Sequence, residues 1–170
     1  MRELGDAIQT CALLAFIAVL VVHCTPAASA ERFPGPFAAE VVRVIDADTV
    51  ELDVAVWPGQ TVRVGLRIDG IDTPESRRAD CPAEKVFGKE ASAFVSGLLL
   101  PGSTVRVLDL FEGKYAGRVV GSLAVPQGDD PEHPELDLAE LLVGRGFAQA
   151  YDGGTRPDWC AILRGRERGG

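Results

Sequence analysis

Acidic and basic residues that could support catalysis are concentrated at two corners of the chain. Asp48 lies in a short Asp-Ala-Asp corner between two β-favouring runs, whereas Arg67, Asp72 and Glu75 lie within nine residues at the end of a later run. Carboxylates at chain corners, beside a backbone carbonyl, offer the oxygen ligands that Ca²⁺ or Mg²⁺ requires. The spacing therefore predicts a site for a hard divalent cation.

Two arginines add the capacity to bind phosphate. Arg67 precedes the second acidic group, and Arg118 follows the run Lys114-Tyr-Ala-Gly. Guanidinium forks match pairs of phosphate oxygens and stay charged at every working pH. Each residue alone has an ordinary structural interpretation, because turn aspartates cap backbone groups and strand arginines face solvent. Only the joint pattern favours metal-assisted phosphodiester chemistry.

An aspartyl phosphatase is the chemical alternative for the first corner. Such enzymes require Asp-x-Asp-x-Thr, whereas Thr49 directly follows Asp48 here. The chain also lacks the alternating strands and helices of a doubly wound sheet. Both observations disfavour this alternative.

Hydrophobic periodicity predicts the elements that position these residues. Alternating apolar residues over 62–68 predict a strand with Arg67 and Asp69 on its polar face. An amphipathic helix is predicted over 84–100 and a second helix over 138–143, opened by Asp137. The other predicted strands are 40–45, 49–54, 104–110 and 118–125. Five short strands with a helix after the third predict a small closed β-barrel with packed helices, for which an OB-type barrel is one candidate.

Charge limits the possible partners of this 170-residue chain. Its formal net charge is −8, and charged residues make up 25% of the sequence. Non-specific coating of nucleic acid requires a basic surface, so the composition argues against that role. A nucleic-acid substrate would have to be bound locally, through the arginines.

The amino-terminal segment 1–30 has the plan of a signal peptide. An apolar run over 12–22 is followed by Pro26 and by the small-x-small sequence Ala28-Ser-Ala30. The run is too short for a membrane span of about 20 residues, although an uncleaved anchor is an alternative. A lipoprotein anchor at Cys24 is disfavoured because His23 precedes it. We expect cleavage after Ala30, export to the periplasm or the medium, and no stable membrane association.

Cleavage would leave two cysteines, Cys81 and Cys160. Two cysteines in an exported chain predict one disulfide, with two buried thiols as the alternative. We also expect a loose leader over 31–37, a folded domain over 38–160 and a flexible tail over 161–170.

The sequence resembles the staphylococcal nuclease-like (thermonuclease) family. The most specific element is Arg67-x₄-Asp-Thr-Pro-Glu75. The resemblance covers about residues 38–151 and is carried by the stretches 44–50, 67–75, 84–94, 114–118 and 138–148.

The resemblance implies a five-stranded OB-fold barrel and Ca²⁺-dependent hydrolysis of DNA and RNA that leaves 3′-phosphate ends. By position, Asp48, Asp72 and the Thr73 carbonyl would bind calcium, Glu75 would be the general base, and Arg67 and Arg118 would bind the phosphate. Lys114, Tyr115 and Tyr151 are weaker candidates for substrate contacts. We expect a monomer.

Some residues depart from the family pattern. Gly113 replaces an aspartate, and Ala116 is inserted between Tyr115 and Gly117, which could shift Arg118. This departure and the acidic charge support an alternative function, a non-catalytic OB-fold module that binds nucleic acid or a protein.

Overall fold

The structure, a computed structural model, describes residues 31–113, 118–127 and 135–169. Its elements are β1 (Phe37–Asp46), β2 (Thr49–Trp57), β3 (Gln60–Ile68), β4 (Ile71–Asp72), α1 (Pro82–Leu98), β5 (Thr104–Glu112), β6 (Arg118–Val125), β7 (Leu136–Asp137), α2 (Leu138–Gly144), β8 (Gln149–Ala150) and α3 (Trp159–Gly169).

Five long strands close into a barrel. Their order is β3-β2-β1-β5-β6, with antiparallel neighbours, and a parallel pairing of β3 with β6 closes the ring. Closure gives each long strand two neighbours, so its backbone groups have partners on both sides. The predicted OB-type barrel with packed helices is confirmed.

The hydrophobic core lies between the barrel and the helices. Inward residues alternate along β2 and β3, where Val50, Leu52 and Leu66 are fully buried. The α1 face adds Ala91 and Val95, which are also fully buried. Burying a valine or leucine side chain stabilises the fold by about 1.5–3 kcal/mol. The predicted helix over 84–100 corresponds to α1, which begins two residues earlier at Pro82.

The leader predicted to be loose is instead paired with the barrel. Phe33 and Leu110 exchange two backbone hydrogen bonds of 2.7 and 2.9 Å, and the Asp109 N–H donates to the Pro34 carbonyl at 3.1 Å. These hydrogen bonds connect the leader to β5, although segment 31–37 lacks periodicity of its own.

The segment 161–170, which we expect to be a flexible tail, contains most of α3, which continues to Gly169. The Asp158 carboxylate accepts the Ala161 N–H at 2.8 Å, as a helix cap does, and Trp159 is almost fully buried. The sequence of α3 has only a weak preference for helix, and the packing of its first turn onto the domain stabilises it.

A Cys81–Cys160 disulfide ties the start of α1 to the first turn of α3, with the two Cα atoms 6.1 Å apart. The bond spans 79 positions of sequence, and a crosslink over a loop of that length stabilises a fold by about 4–5 kcal/mol in the chain-entropy account.

The predicted signal peptide, residues 1–30, lies outside the described residues. Within the part of the chain that is described, no helix has both the length and the apolar character needed to cross a bilayer.

Candidate active site

The β1–β2 corner buries the first predicted metal ligand. The Asp48 side chain accepts hydrogen bonds from the hydroxyls of Thr49, at 2.9 Å, and Thr73, at 2.6 Å. Thr49 pairs with Arg67 across β2 and β3, which brings the Arg67 guanidinium into an ion pair with Asp48. The residue pairing of two neighbouring strands therefore joins the two acidic and basic stretches of the sequence.

A tight turn returns the chain to Arg67. Gly70 has a φ of +75°, a conformation that favours glycine, and it lets β4 fold back beside the end of β3. As a result, Arg67 Nη2 donates to the Ile71 carbonyl at 2.9 Å and lies 3.6 Å from Asp72 Oδ1. Asp72 is 1% exposed. Asp48, Arg67 and Asp72 thus form one cluster.

Glu75 lies on the loop that follows β4, and α1 holds this loop. The buried Glu84 carboxylate accepts the backbone N–H groups of Glu75, at 3.1 Å, and Asp80, at 2.7 Å. Gly88, one turn further along α1, packs against the loop backbone. The Glu75 side chain itself is 32% exposed, so it is accessible to water.

We expect Gly88→Ala to destabilise the protein. A Cβ at this position would lie 2.6 Å from the Pro74 carbonyl oxygen and 2.7 Å from the Glu75 backbone. Overpacking costs about 1–3 kcal/mol, which exceeds the gain of at most about 1 kcal/mol in helix propensity. Urea unfolding should show a lower free energy of unfolding.

Gly97→Ala is the matched control for this substitution, because it lies in the same helix with no atom within 4 Å of its Cβ. It should raise the free energy of unfolding by about 0.5–1 kcal/mol. Equal effects of the two substitutions would contradict the close packing at Gly88.

A third arginine, which sequence reasoning missed, binds the same carboxylates. Arg156 Nε donates to Asp72 Oδ1 at 2.9 Å, and its Nη2 lies 3.3 Å from Asp72 Oδ2 and 3.5 Å from the Thr73 carbonyl. Its Nη1 donates to Glu75 Oε1 at 3.1 Å. The one available signal was the predicted disulfide, because a Cys81–Cys160 bond brings the segment before Cys160 close to the loop after Asp72.

Sequence reasoning also missed Trp159, which lies in the same segment before Cys160. Its indole Nε1–H donates to Asp72 Oδ2 at 2.9 Å, and its ring lies 6.1 Å from that of Phe87 on α1. A buried indole N–H normally has a hydrogen-bond partner, and Asp72 is that partner here. Segment 156–159 therefore supplies two donor side chains to Asp72.

We call Asp48, Asp72 and Glu75 the acidic corner. Arg67 and Arg156 offset two of its three negative charges, so the group keeps a formal charge of −1. Partial burial lowers the pKa of Arg156, but the hydrogen bonds and charges of Asp72 and Glu75 outweigh this and raise the pKa above the usual arginine range. The guanidinium therefore stays charged.

A cleft of about 1050 Å³ adjoins the acidic corner through Arg67, although Asp48, Asp72 and Glu75 do not themselves line it. Arg67 and Arg118 both line it, together with Tyr151, whose hydroxyl donates to the Gly154 carbonyl at 3.0 Å. Arg118 begins β6, where it pairs with Gly65 of β3, two positions from Arg67. The fold thus brings both predicted phosphate ligands to one cleft. Lys114 and Tyr115 lie outside the described residues.

The chemistry of the acidic corner fits a hard divalent cation. Asp48, Asp72 and the Thr73 carbonyl present oxygen atoms, the donors that Ca²⁺ prefers. The Arg156 guanidinium already binds Asp72 and the Thr73 carbonyl, so these oxygens face a common positive charge. Among the described residues, the one set of three Asp, Glu, His or Cys side chains whose possible ligand atoms lie within 4.8 Å of one another is a different group, Cys81, Glu84 and Cys160. Its sulfur atoms are bonded to each other, so it offers no thiolate.

A closed OB-type barrel with an acidic corner and a cleft lined by arginines defines a nuclease-like fold. A family model described as staphylococcal nuclease homologue matches residues 65–159. The chain therefore belongs to the staphylococcal nuclease homologue family. The match includes Arg67, Asp72, Glu75 and Arg118, whereas Asp48 precedes it. A search of curated proteins finds no match.

Proposed function

We propose that this protein is an exported, Ca²⁺-dependent nuclease that hydrolyses phosphodiester bonds of DNA and RNA. The observation that carries the proposal is the convergence of Asp48, Arg67, Asp72 and Glu75 in one ion-paired cluster beside the cleft that Arg118 also lines. Family membership supports it, because the matched residues span most of this cluster. We further propose that the protein acts as a monomer in the periplasm or the medium.

The proposed metal ligands are Asp48, Asp72 and the Thr73 carbonyl. A calcium ion bound there would supply positive charge to the phosphate oxygens and to the attacking water. The hydrogen bonds from Thr49 and Thr73 orient the Asp48 carboxylate in advance. Such outer contacts hold ligands in place and thereby limit the reorganisation that binding requires.

Glu75 is the proposed general base. Its carboxylate is partly exposed beside Asp72 and can accept a proton from a water molecule as that water attacks phosphorus. Arg67 and Arg118 are the proposed phosphate ligands, which stabilise the negative charge that builds up on the phosphate oxygens in the transition state. The bond from the water oxygen to phosphorus forms as the P–O5′ bond breaks, and the departing O5′ takes a proton from solvent, so the products are a 3′-phosphate and a 5′-hydroxyl. Tyr151, and with it Lys114 and Tyr115, are proposed contacts for the rest of the substrate.

The test is cleavage of single-stranded DNA, duplex DNA and RNA by the purified, disulfide-bonded protein in Ca²⁺ or in chelator. We expect cleavage that requires Ca²⁺. Its products should accept a 5′-phosphate from polynucleotide kinase without prior dephosphorylation, because they carry 5′-hydroxyl ends. A protein that leaves all three substrates intact in Ca²⁺, or that cleaves equally in chelator, contradicts the proposal.

One observation favours the alternative function, a non-catalytic OB-fold module. Arg156 binds both Asp72 and Glu75, which the nuclease mechanism needs for the metal and for the proton. Under this alternative, a labelled oligonucleotide should bind tightly without any turnover in Ca²⁺. Fluorescence anisotropy and gel analysis of the same samples separate the two functions.

A further inference from the structure

Three cationic or polar side chains surround the Asp72 carboxylate, and Arg156 contacts both of its oxygens. Each carboxylate oxygen offers about two acceptor positions. Oδ1 receives Arg156 Nε at 2.9 Å and lies 3.6 Å from Arg67 Nη2. Oδ2 receives the Trp159 indole at 2.9 Å and lies 3.3 Å from Arg156 Nη2. A cation that binds Asp72 and the Thr73 carbonyl together therefore competes with Arg156, which contacts both.

Arg156 is the donor that can leave at the lowest cost. Trp159 is only 2% exposed and packs against Phe87, so its indole has no route to water. Arg67 is 21% exposed and is held by Asp48 and by the Ile71 carbonyl. The Arg156 side chain, by contrast, is 48% exposed. Its guanidinium therefore loses little packing when it moves into solvent.

Electrostatic repulsion also favours the departure of Arg156 when a cation binds. A divalent cation at Asp72 and the Thr73 carbonyl would occupy oxygens that Arg156 now contacts, and two positive groups at that distance repel each other. Arg156 also lines a cleft of about 430 Å³, whose other charged lining residues are Asp80, Glu84, Asp158 and Arg164. The three carboxylates of this cleft outnumber its other arginine, so they offer the released guanidinium partners of opposite charge.

We propose that Arg156 is an internal competitor of the divalent cation. Its guanidinium holds Asp72, the Thr73 carbonyl and Glu75 while no cation is bound, and it leaves Asp72 when a cation binds. Arg156 thus sets the cation concentration at which the acidic corner is loaded, and it frees Glu75 in the same step. This inference rests on the metal site of the proposed function, but it concerns affinity and not the rate of cleavage.

The buried Trp159 allows a binding experiment that is independent of cleavage. Tb³⁺ serves as a luminescent substitute for Ca²⁺, with Trp159 as the sensitiser, in a background where the exposed Trp57 is replaced by phenylalanine. Tb³⁺ titration, followed by displacement with Ca²⁺, gives both affinities. Arg156→Ala should bind both ions roughly 5- to 150-fold more tightly than the parent, the range typical of coupled sites.

Arg63→Ala is the matched control. Arg63 forms a two-bond fork with Asp53, at 2.8 and 2.8 Å, on the exposed faces of β2 and β3. The substitution removes the same charge and the same kind of ion pair, so it should leave both affinities within about twofold, because exposed charges interact weakly with a distant site. Equal or weaker ion binding by Arg156→Ala overturns the inference, and so does the absence of ion binding in every form of the protein.

A second measurement needs no substitution. Phenylglyoxal modifies accessible arginines, and digestion with mass spectrometry gives the rate at Arg156 alone. Ca²⁺ should accelerate modification of Arg156 in the parent protein, because the released guanidinium is more exposed. An unchanged or slower rate contradicts the inference, whether or not Arg156→Ala folds.

The inference and the proposed function fail separately. If Arg156→Ala binds ions more tightly but no form cleaves nucleic acid, the inference stands and the nuclease proposal falls. If the parent cleaves DNA in Ca²⁺ and Arg156→Ala has unchanged ion affinity, the nuclease proposal stands and the inference falls.

Discussion

Replacement of Glu75 with glutamine should lower the rate of DNA cleavage by about 10²–10⁴-fold, the usual contribution of a positioned general base. The amide has the same shape and its oxygen can still accept the Arg156 hydrogen bond, but it cannot take a proton from water. The backbone N–H of residue 75 would remain bound to Glu84. Folding should therefore change little, and the loss should appear in the chemical step.

The measurement is single-turnover cleavage of a labelled oligonucleotide in saturating Ca²⁺, with anisotropy of the uncleaved complex as the binding readout. Glu90→Gln is the control, since Glu90 is an exposed glutamate of α1 outside the acidic corner. It should cleave at the parent rate. If Glu75→Gln also cleaves at the parent rate, Glu75 is not the general base.

Replacement of Arg67 with methionine should impair both cleavage and stability. Loss of one charged donor to the transition state typically costs about 10²–10³-fold in rate. In addition, Asp48 would lose its ion-pair partner while 5% exposed. Removing one partner of a buried pair costs about 3–5 kcal/mol. Methionine keeps much of the apolar volume of the arginine stem, so the loss reflects the missing guanidinium.

Urea unfolding of the metal-free protein and single-turnover cleavage in Ca²⁺ measure the two effects separately. Arg43→Met is the control, because Arg43 pairs with Glu51 at 2.9 Å while its side chain is 57% exposed. An exposed pair of this kind contributes at most about 1 kcal/mol. If Arg67→Met matches Arg43→Met in unfolding, the ion pair with Asp48 does not hold the site together; if it retains full cleavage, Arg67 is not a phosphate ligand.

These predictions and the competition at Arg156 concern different properties of one cluster. We expect Glu75 to accept the proton of the attacking water. We expect Arg67 to bind the phosphate and to pair with Asp48, and Arg156 to set how readily the metal ligands bind a cation. A substitution at Arg156 should therefore shift the Ca²⁺ dependence of cleavage, whereas Glu75→Gln should lower the rate at every Ca²⁺ concentration.

Local patterns in the sequence were sufficient to predict the barrel and the stretch of the site from Arg67 to Glu75. Period-two alternation placed Arg67 on the polar face at the end of β3, and the Gly70 turn returns the chain to Asp72 within five residues. The short spacing from Arg67 to Glu75 in the sequence therefore reflects one tight turn, at Gly70. Helix periodicity likewise placed α1 within two residues of its observed start and end.

Contacts between distant segments were decided only by the tertiary structure. Arg156 and Trp159 reach Asp72 across 84 and 87 positions of sequence, from a stretch with no periodicity. The same holds for α3, which packing at Trp159 and the disulfide at Cys160 support, and for the leader paired with β5. Local sequence encodes which conformations a segment prefers, but long-range contacts depend on how barrel closure and the Cys81–Cys160 bond bring segments together. For that reason the sequence alone determined the barrel and the stretch from Arg67 to Glu75, and only the tertiary structure showed that Arg156 and Trp159 contact Asp72.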